Sequence, residues 1–322
     1  MPIALRPLTP ADIPAWAALL AACERVDQTG ENYDEDDLAE ELADPTRDPA
    51  RDFFGAWRGD DLVGYAAVRP RDQADGEHRI HLEGATHPDH RGTGVGTASL
   101  EWAVGRAGEA HAGMFPDVPA ALVCDGLVAN GAQTALLQAA GFTAQRWNFG
   151  MECRLDAEPP PADVPSGLAM LPYDAVSAEA ARSAHNDAFL DHWGFAGWSP
   201  AMWQQWVTDT RAFRPGISRV LVADGASDVV VGYVISYEYE ADAAATGIRT
   251  AYVGKVGVRR AWRRKGAASA LLSDVLRACR AEGYGAASLD VDADNPTGAL
   301  GVYRRMGFEV AHRWVTHGIT IE

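Results

Sequence analysis

The sequence predicts an α/β (α+β) chain made of two tandem copies of one unit. Three observations carry this. A chain of 322 residues suits two cores better than one. Two segments repeat without a gap, and a repeat decides the architecture wherever one is present. A proline-rich stretch separates the copies.

The repeated segments are Thr86–Leu100 and Val258–Leu272, which set Arg91 on Arg263, Gly94 on Gly266 and Gly96 on Ala268. Each leads into an apolar-periodic helix and a short strand, Ala120–Cys124 or Ala286–Val291. After each strand come an Asn (Asn130 or Asn295) and a short helix ending in Gly141-Phe142 or Gly307-Phe308, glycine being the usual helix stop. In the first copy Ile3–Arg6 reads as a strand, and Thr9 with Pro10 and Asp12 opens a helix. Phe53–Trp57 and Leu62–Val68 form a hairpin, and Arg79–Ala85 runs into the basic turn. In the second copy Val220–Ala223 and Val229–Glu240 form the hairpin, and Thr250–Val258 precedes the turn. Residues 156–165 hold four prolines and three acids, which predicts a stiff, solvated linker between domains 1–155 and 166–322.

Composition excludes several classes. The hydrophobic fraction of 47% supports packed cores. A net charge of −17 argues against a nucleic-acid partner, which needs a basic face. Cys23, Cys124, Cys153 and Cys279 lie far apart with no metal-ligand spacing, so reduced thiols and no metal are expected. Ala15–Cys23 follows Asp12 and Pro14 rather than a basic region, and reads as an amphipathic helix, not a signal core. No apolar run is long enough to span a bilayer. A cytoplasmic protein without a membrane partner, monomeric or homodimeric, is the expectation.

Against that acidic background, Arg259, Arg260, Arg263, Arg264 and Lys265 put five cations into seven residues. A glycine-containing turn that opens a helix presents backbone N–H groups and a positive dipole end to an anion, typically phosphate. Neither the dinucleotide nor the P-loop fingerprint occurs. The pattern is R-x-x-G-x-G (Arg91, Gly94, Gly96) and R-x-x-G-x-A (Arg263, Gly266, Ala268). In this strand–turn–helix setting both halves resemble the Gcn5-related N-acetyltransferases, and the resemblance covers nearly the whole chain. It implies a mixed, mostly antiparallel twisted sheet flanked by helices in each half. It implies acetyl-CoA as co-substrate, with its pyrophosphate on Arg263, Arg264, Lys265, Gly266, Ala267 and Ala268 and its pantetheine along Val256, Gly257 and Val258. Asn295 joins this set, and Arg91, Gly92, Gly94 and Gly96 are the counterparts in the first copy.

The same resemblance assigns the general acid to a Tyr four residues before the Gly of Gly-Phe. Tyr303 stands there in the second copy and Leu137 in the first. A leucine donates no proton, so the C-terminal copy is expected to be catalytic and the N-terminal copy non-catalytic. For the base, Glu238 and Glu240 alternate with Tyr237 and Tyr239 near the end of the hairpin strand, which places both acids on one face. A water chain is the alternative. The aromatic-rich segment 189–206 supplies Asp191, His192 and Trp193 as candidates for an amine pocket. The function expected is acetyl transfer to a small-molecule primary amine. An acyl-CoA-binding sensor and a transferase acting on a protein amine stay open beside it. Asp290–Asn295 resembles the start of a calcium loop but lacks the glycine and the closing glutamate, so it reads as a strand and turn.

Overall fold

The computed structural model describes every residue except Met1, Asp75, Trp193, Gly194, Ala196, Gly225, Pro296, Thr297 and Glu322, and every side chain among those described except Ser227. The elements run β1 (Ala4–Pro7), α1 (Ile13–Asp27), α2 (Glu35–Leu42), α3 (Pro49–Asp52), β2 (Phe53–Arg58), β3 (Asp61–Pro70), β4 (His78–Thr86), α4 (Val95–Met114), β5 (Ala120–Leu127), α5 (Gly131–Ala139) and β6 (Thr143–Arg154). They continue as β7 (Leu168–Pro172), α6 (Ala178–Ala188), α7 (Pro200–Trp203), β8 (Arg219–Ala223), β9 (Ala226–Tyr237), α8 (Glu240–Thr246), β10 (Thr250–Val258), α9 (Ala267–Ala281), β11 (Ala286–Asp292), α10 (Ala299–Arg305) and β12 (Glu309–Ile321).

Two compact units result, and each takes a strand from the far half of the sequence. The first comprises Met1–Trp147 with Arg313–Glu322, the second Asn148–His312. In the first, β1 to β4 pair antiparallel in order, β4 pairs parallel with β5, and residues 314–321 of β12 pair antiparallel with β5. In the second, β7 to β10 pair antiparallel in order, β10 pairs parallel with β11, and residues 148–154 of β6 pair antiparallel with β11. The two sheets have one plan.

The division falls inside β6 and β12, not in the proline-rich segment. That segment is mostly exposed, but it is tied down at its start. Leu155 and Pro159 are buried. Ser273 donates to the Pro160 carbonyl at 2.8 Å, and Arg280 to the Leu155 carbonyl at 3.2 Å and to Glu158 at 2.8 Å. The prolines stiffen a strap whose start is held on α9 by these side-chain bonds.

Each sheet is covered on both faces. In the first unit, Leu100 and Ala103 of α4 pack on Ile80 and Leu122, while Trp16 and Leu19 of α1 pack on Phe53 and Tyr65. In the second, Leu271, Leu272 and Val275 of α9 cover Val231, Val253 and Leu289, and the opposite face carries Ala181 and Ala184 of α6 with Trp203 against Tyr233 and Ile235. The Gly-Phe stops act alike. Gly141 and Gly307 take φ 90° and 92°, and the next amides reach back to the carbonyls of Leu137 and Tyr303 at 3.0 and 3.1 Å, which closes each helix.

Candidate active site

The two basic turns share one backbone. Gly94 and Gly266 both stand at φ 88° as the residues before α4 and α9. Gly92 at φ 70° matches Arg264 at φ 60°. An arginine in this region is strained, and strain held at a helix start fits a ligand-binding turn. A Cβ on Gly266 would meet open space, so conformation rather than crowding requires glycine there. The first amides of α9, from Ala267 and Ala268 onward, have no partner within the helix and are oriented to hold an anion.

Most of the cationic cluster has another task. Arg263 donates to the Val258 carbonyl at 3.1 Å, to the Ala188 carbonyl at 2.6 Å and to Asp191 at 3.0 Å. Arg260 also bonds Asp191. Arg259 reaches the Val230 carbonyl at 2.6 Å and Asp187 at 3.0 Å. Three of the five cations therefore tie the turn to the end of α6. Arg91 repeats the device, reaching the Thr86 carbonyl at 3.2 Å and Asp27 at 2.7 and 2.6 Å. The arginine that opens the motif is thus a brace. Arg264 is exposed, and Lys265 lies over Trp262 and bonds the Ala261 carbonyl at 3.0 Å. These two, both exposed, are the cations of the cluster not tied to α6. Asp191 is spent on Arg263 and Arg260, which hold its pKa below the usual carboxylate value.

The units differ where their parallel strands part. In the first, β4 and β5 pair over five positions, His78↔Ala120 to Leu82↔Cys124. In the second, β10 and β11 pair over three, Thr250↔Ala286 to Tyr252↔Ser288. Residues 253–258 therefore present an edge with no paired strand among the described residues. Val256, Gly257 and Val258 keep their bonds to β9 on the other side. β10 also carries a bulge between Val253 and Lys255, whereas the register of β4 against β3 is unbroken. A bulge re-aims the side chains that follow it. Here Val253 and Val256 both face the α9 core, and Lys255 turns to the opposite face. In the first unit, a Cβ on Gly96 would come within 2.9 Å of Leu136, so α5 closes over the start of α4.

Tyr303, on α10, is 8% exposed. Its ring packs edge-on against Phe308 at 6.1 Å. Its hydroxyl makes no hydrogen bond among the described residues, and burial pushes its pKa up to about 12. A protonated phenol with no competing partner suits a general acid. Leu137, its counterpart, is core at 3% exposure.

A sequence model described as the acetyltransferase (GNAT) family matches residues 13–120 and 178–308, one stretch in each half of the chain. The chain belongs to the GNAT family. It is an N-acetyltransferase by class. A mycothiol acetyltransferase of Nocardia farcinica is 29% identical over 259 residues, covering 78% of this chain and 77% of the relative. A second, from Saccharomonospora viridis, is 28% identical over 301 residues, 91% of this chain and 90% of that one. Among solved structures, a GCN5-related N-acetyltransferase from Sphaerobacter thermophilus superposes with a TM-score of 0.78 at 25% identity, over 99% of this chain and 96% of the other. A tandem GNAT protein from the clavulanic acid biosynthesis pathway gives 0.73 at 18% identity, over 100% and 99%.

Within this GNAT chain the two expected bases fare differently from each other. Strand β9 stops at Tyr237, and Glu240 opens α8, so the alternation that put both acids on one strand face ends before it begins. Arg214 does draw them together, at 2.9 Å to Glu238 and 3.3 Å to Glu240. Yet Glu238 is buried among Arg249, Tyr284 and Arg214, with Arg249 foremost in lowering its pKa to about 2. A carboxylate held that firmly is a poor proton acceptor. Glu238 is tied into this network, and Glu240 is exposed.

His192 and Asn295 meet, Nε2 to Nδ2 at 3.4 Å, and His192 stacks on Phe189 at 4.6 Å. Trp193 lies outside the described residues. Several site residues escaped the sequence reading. Tyr233 repeats Tyr65 within the matched pairs Gly232-Tyr233 and Gly64-Tyr65, and its hydroxyl bonds His185 at 2.6 Å. Tyr252 donates to Asp290 at 3.0 Å where β10 and β11 part. Lys255 could have been found as the lone charge in an otherwise apolar strand.

No helix among the described residues is long and apolar enough to cross a membrane.

Proposed function

We propose that the second unit transfers the acetyl group of acetyl-CoA to the primary amine of a small molecule, and that the first unit is non-catalytic. The observation that carries this is Tyr303, a protonated, unengaged phenol where the first unit has Leu137. The bulge in β10, absent from β4, supports the same assignment, as does the longer open edge, 253–258 against 83–86. So do the names of the two mycothiol acetyltransferases.

In this reading the amides at the start of α9, with Arg264 and Lys265, hold the pyrophosphate, and the edge of β10 takes the pantetheine as an added strand. A neutral amine attacks the thioester carbonyl, the C–N bond forms and the C–S bond breaks. Tyr303 gives its proton to the departing thiolate. The ammonium proton leaves toward Asp290, which already accepts from Tyr252 at the parting of the strands.

The test is Tyr303→Phe. Thiol release should fall by about 10²-fold or more, with the KM for acetyl-CoA unchanged. Release at the wild-type rate would remove the assignment. Tight acetyl-CoA binding with no turnover on any amine would favour a sensor.

A further inference from the structure

Lys255 sits on the parted half of β10, on the face covered by α6 and the aromatic segment that follows it. Its ammonium lies 5.1 Å from the ring centres of both Trp198 and Tyr237, and donates to the Tyr237 hydroxyl at 3.1 Å. Among the described residues no carboxylate pairs with it. Lys255 is partly buried, and a cation partly withdrawn from water without a counter-ion is costly. Desolvation already lowers its pKa to about 8. The position is built. The bulge at Gly254 aims Lys255 to this face, and a Cβ at Gly254 would strike Tyr237 at 2.6 Å and Tyr252 at 3.0 Å. One ring further along, 6.3 Å between the centres of Tyr237 and Tyr252, Tyr252 meets the carboxylate of Asp290. A lone cation and an acid are thus linked through two tyrosine rings, Tyr237 and Tyr252, beside the strand edge. The first unit has Glu83 at the gaplessly aligned position, and Arg69 pairs with it at 3.6 Å.

Resting on the acetyl-transfer reading above, we infer that the acceptor carries a carboxylate as well as its amine, and that Lys255 binds the carboxylate while the amine lies toward Asp290. Lys255 is then a specificity-determining residue. It selects amino-acid-like acceptors over neutral amines, because a desolvated ammonium left without its anion penalises the uncharged analogue.

The experiment compares acetyl transfer to a panel of α-amino acids with transfer to their α-carboxamides, in the wild-type protein, Lys255→Met and Lys255→Arg. The wild type should favour the acids in kcat/KM by about 10- to 100-fold, the range of one charge-assisted hydrogen bond. Lys255→Met should bring the ratio near one, chiefly through the acceptor KM. Lys255→Arg should restore part of it. The KM for acetyl-CoA should stay fixed, and the Tm of Lys255→Met should not fall, since the substitution removes an unpaired cation. Equal use of acids and amides by the wild type overturns the inference. So does an equal loss on both in Lys255→Met, or a shift confined to acetyl-CoA. If no amine at all is acetylated, the transferase reading fails separately. Calorimetric titration with an N-acetyl amino acid and its amide then decides for Lys255, and equal binding of the two by the wild type overturns its role.

Discussion

Replacing Glu238 by Gln separates an anchor from a base. The carboxylate takes hydrogen bonds from Arg249, Arg214 and the Tyr284 hydroxyl, and Arg249 also lies 3.9 Å over the Tyr284 ring. Its pKa drops from an ordinary 4.5 to about 2, which at 1.36 kcal/mol per unit bounds the stabilisation at about 3 kcal/mol. The Arg249 side chain is 42% exposed, so solvent screening reduces this to about 2 kcal/mol. For a unit of this size that is a loss of about 4–8 °C in Tm. The sign follows from the lowered pKa. The stabilisation is full above about pH 4.5 and is lost as the pH falls toward 2, so wild type and Glu238→Gln should differ at pH 7 and converge in acid. Differential scanning calorimetry across that range reads the stability, and thiol release from acetyl-CoA reads the activity. The expected variant is less stable with kcat within a few-fold of wild type. A kcat lower by two orders of magnitude at unchanged Tm would refute the anchor and restore Glu238 as the base.

Other outcomes follow from the turn and the strand. Arg263→Ala should lower Tm, because Arg263 binds the Val258 and Ala188 carbonyls and Asp191. Arg264→Gly should hold or raise Tm by relieving φ 60°, yet raise the KM for acetyl-CoA about tenfold. Equal thermal effects of the two would refute the division of labour among the cations. Gly254→Ala should lower kcat/KM for the acceptor by about tenfold or more through the clash with Tyr237 and Tyr252, with little change in acetyl-CoA binding. With Tyr303 raised to about 12, kcat should show no alkaline loss from this phenol below about pH 10.

Much of the fold could be read from residues because it is written locally. The glycine spacing, the Gly-Phe stops and the hairpins depend on neighbours in sequence, and the repeat doubled each signal. What was not legible depends on residues distant in sequence. Arg263 looks like a phosphate ligand until Ala188 and Asp191 are seen to claim it. Glu238 looks like a strand-end base until Arg249 and Tyr284 arrive from later segments. The proline-rich segment reads as a linker because composition does not reveal that α9 offers it Ser273 and Arg280. The parting of β10 from β11 leaves no mark on composition, since pairing length is a property of two strands. Lys255 was visible, as one charge among apolar neighbours, but its missing counter-ion was not.

The assignment of β12 to the first unit has a consequence for synthesis. When the ribosome has made residue 155, the first unit still lacks the strand that pairs with β5, and that strand is translated only after the rest of the second unit. The edge of β5 must then stay unpaired, or be covered by something else, while the whole second unit is made. A gene cut at the proline segment would yield an amino-terminal product that lacks its closing strand and a carboxyl-terminal product that lacks residues 148–154 on β11. The halves of the sequence and the halves of the fold are different objects. Their repair is mutual, so co-expressed fragments should rescue each other where either alone aggregates through its open strand.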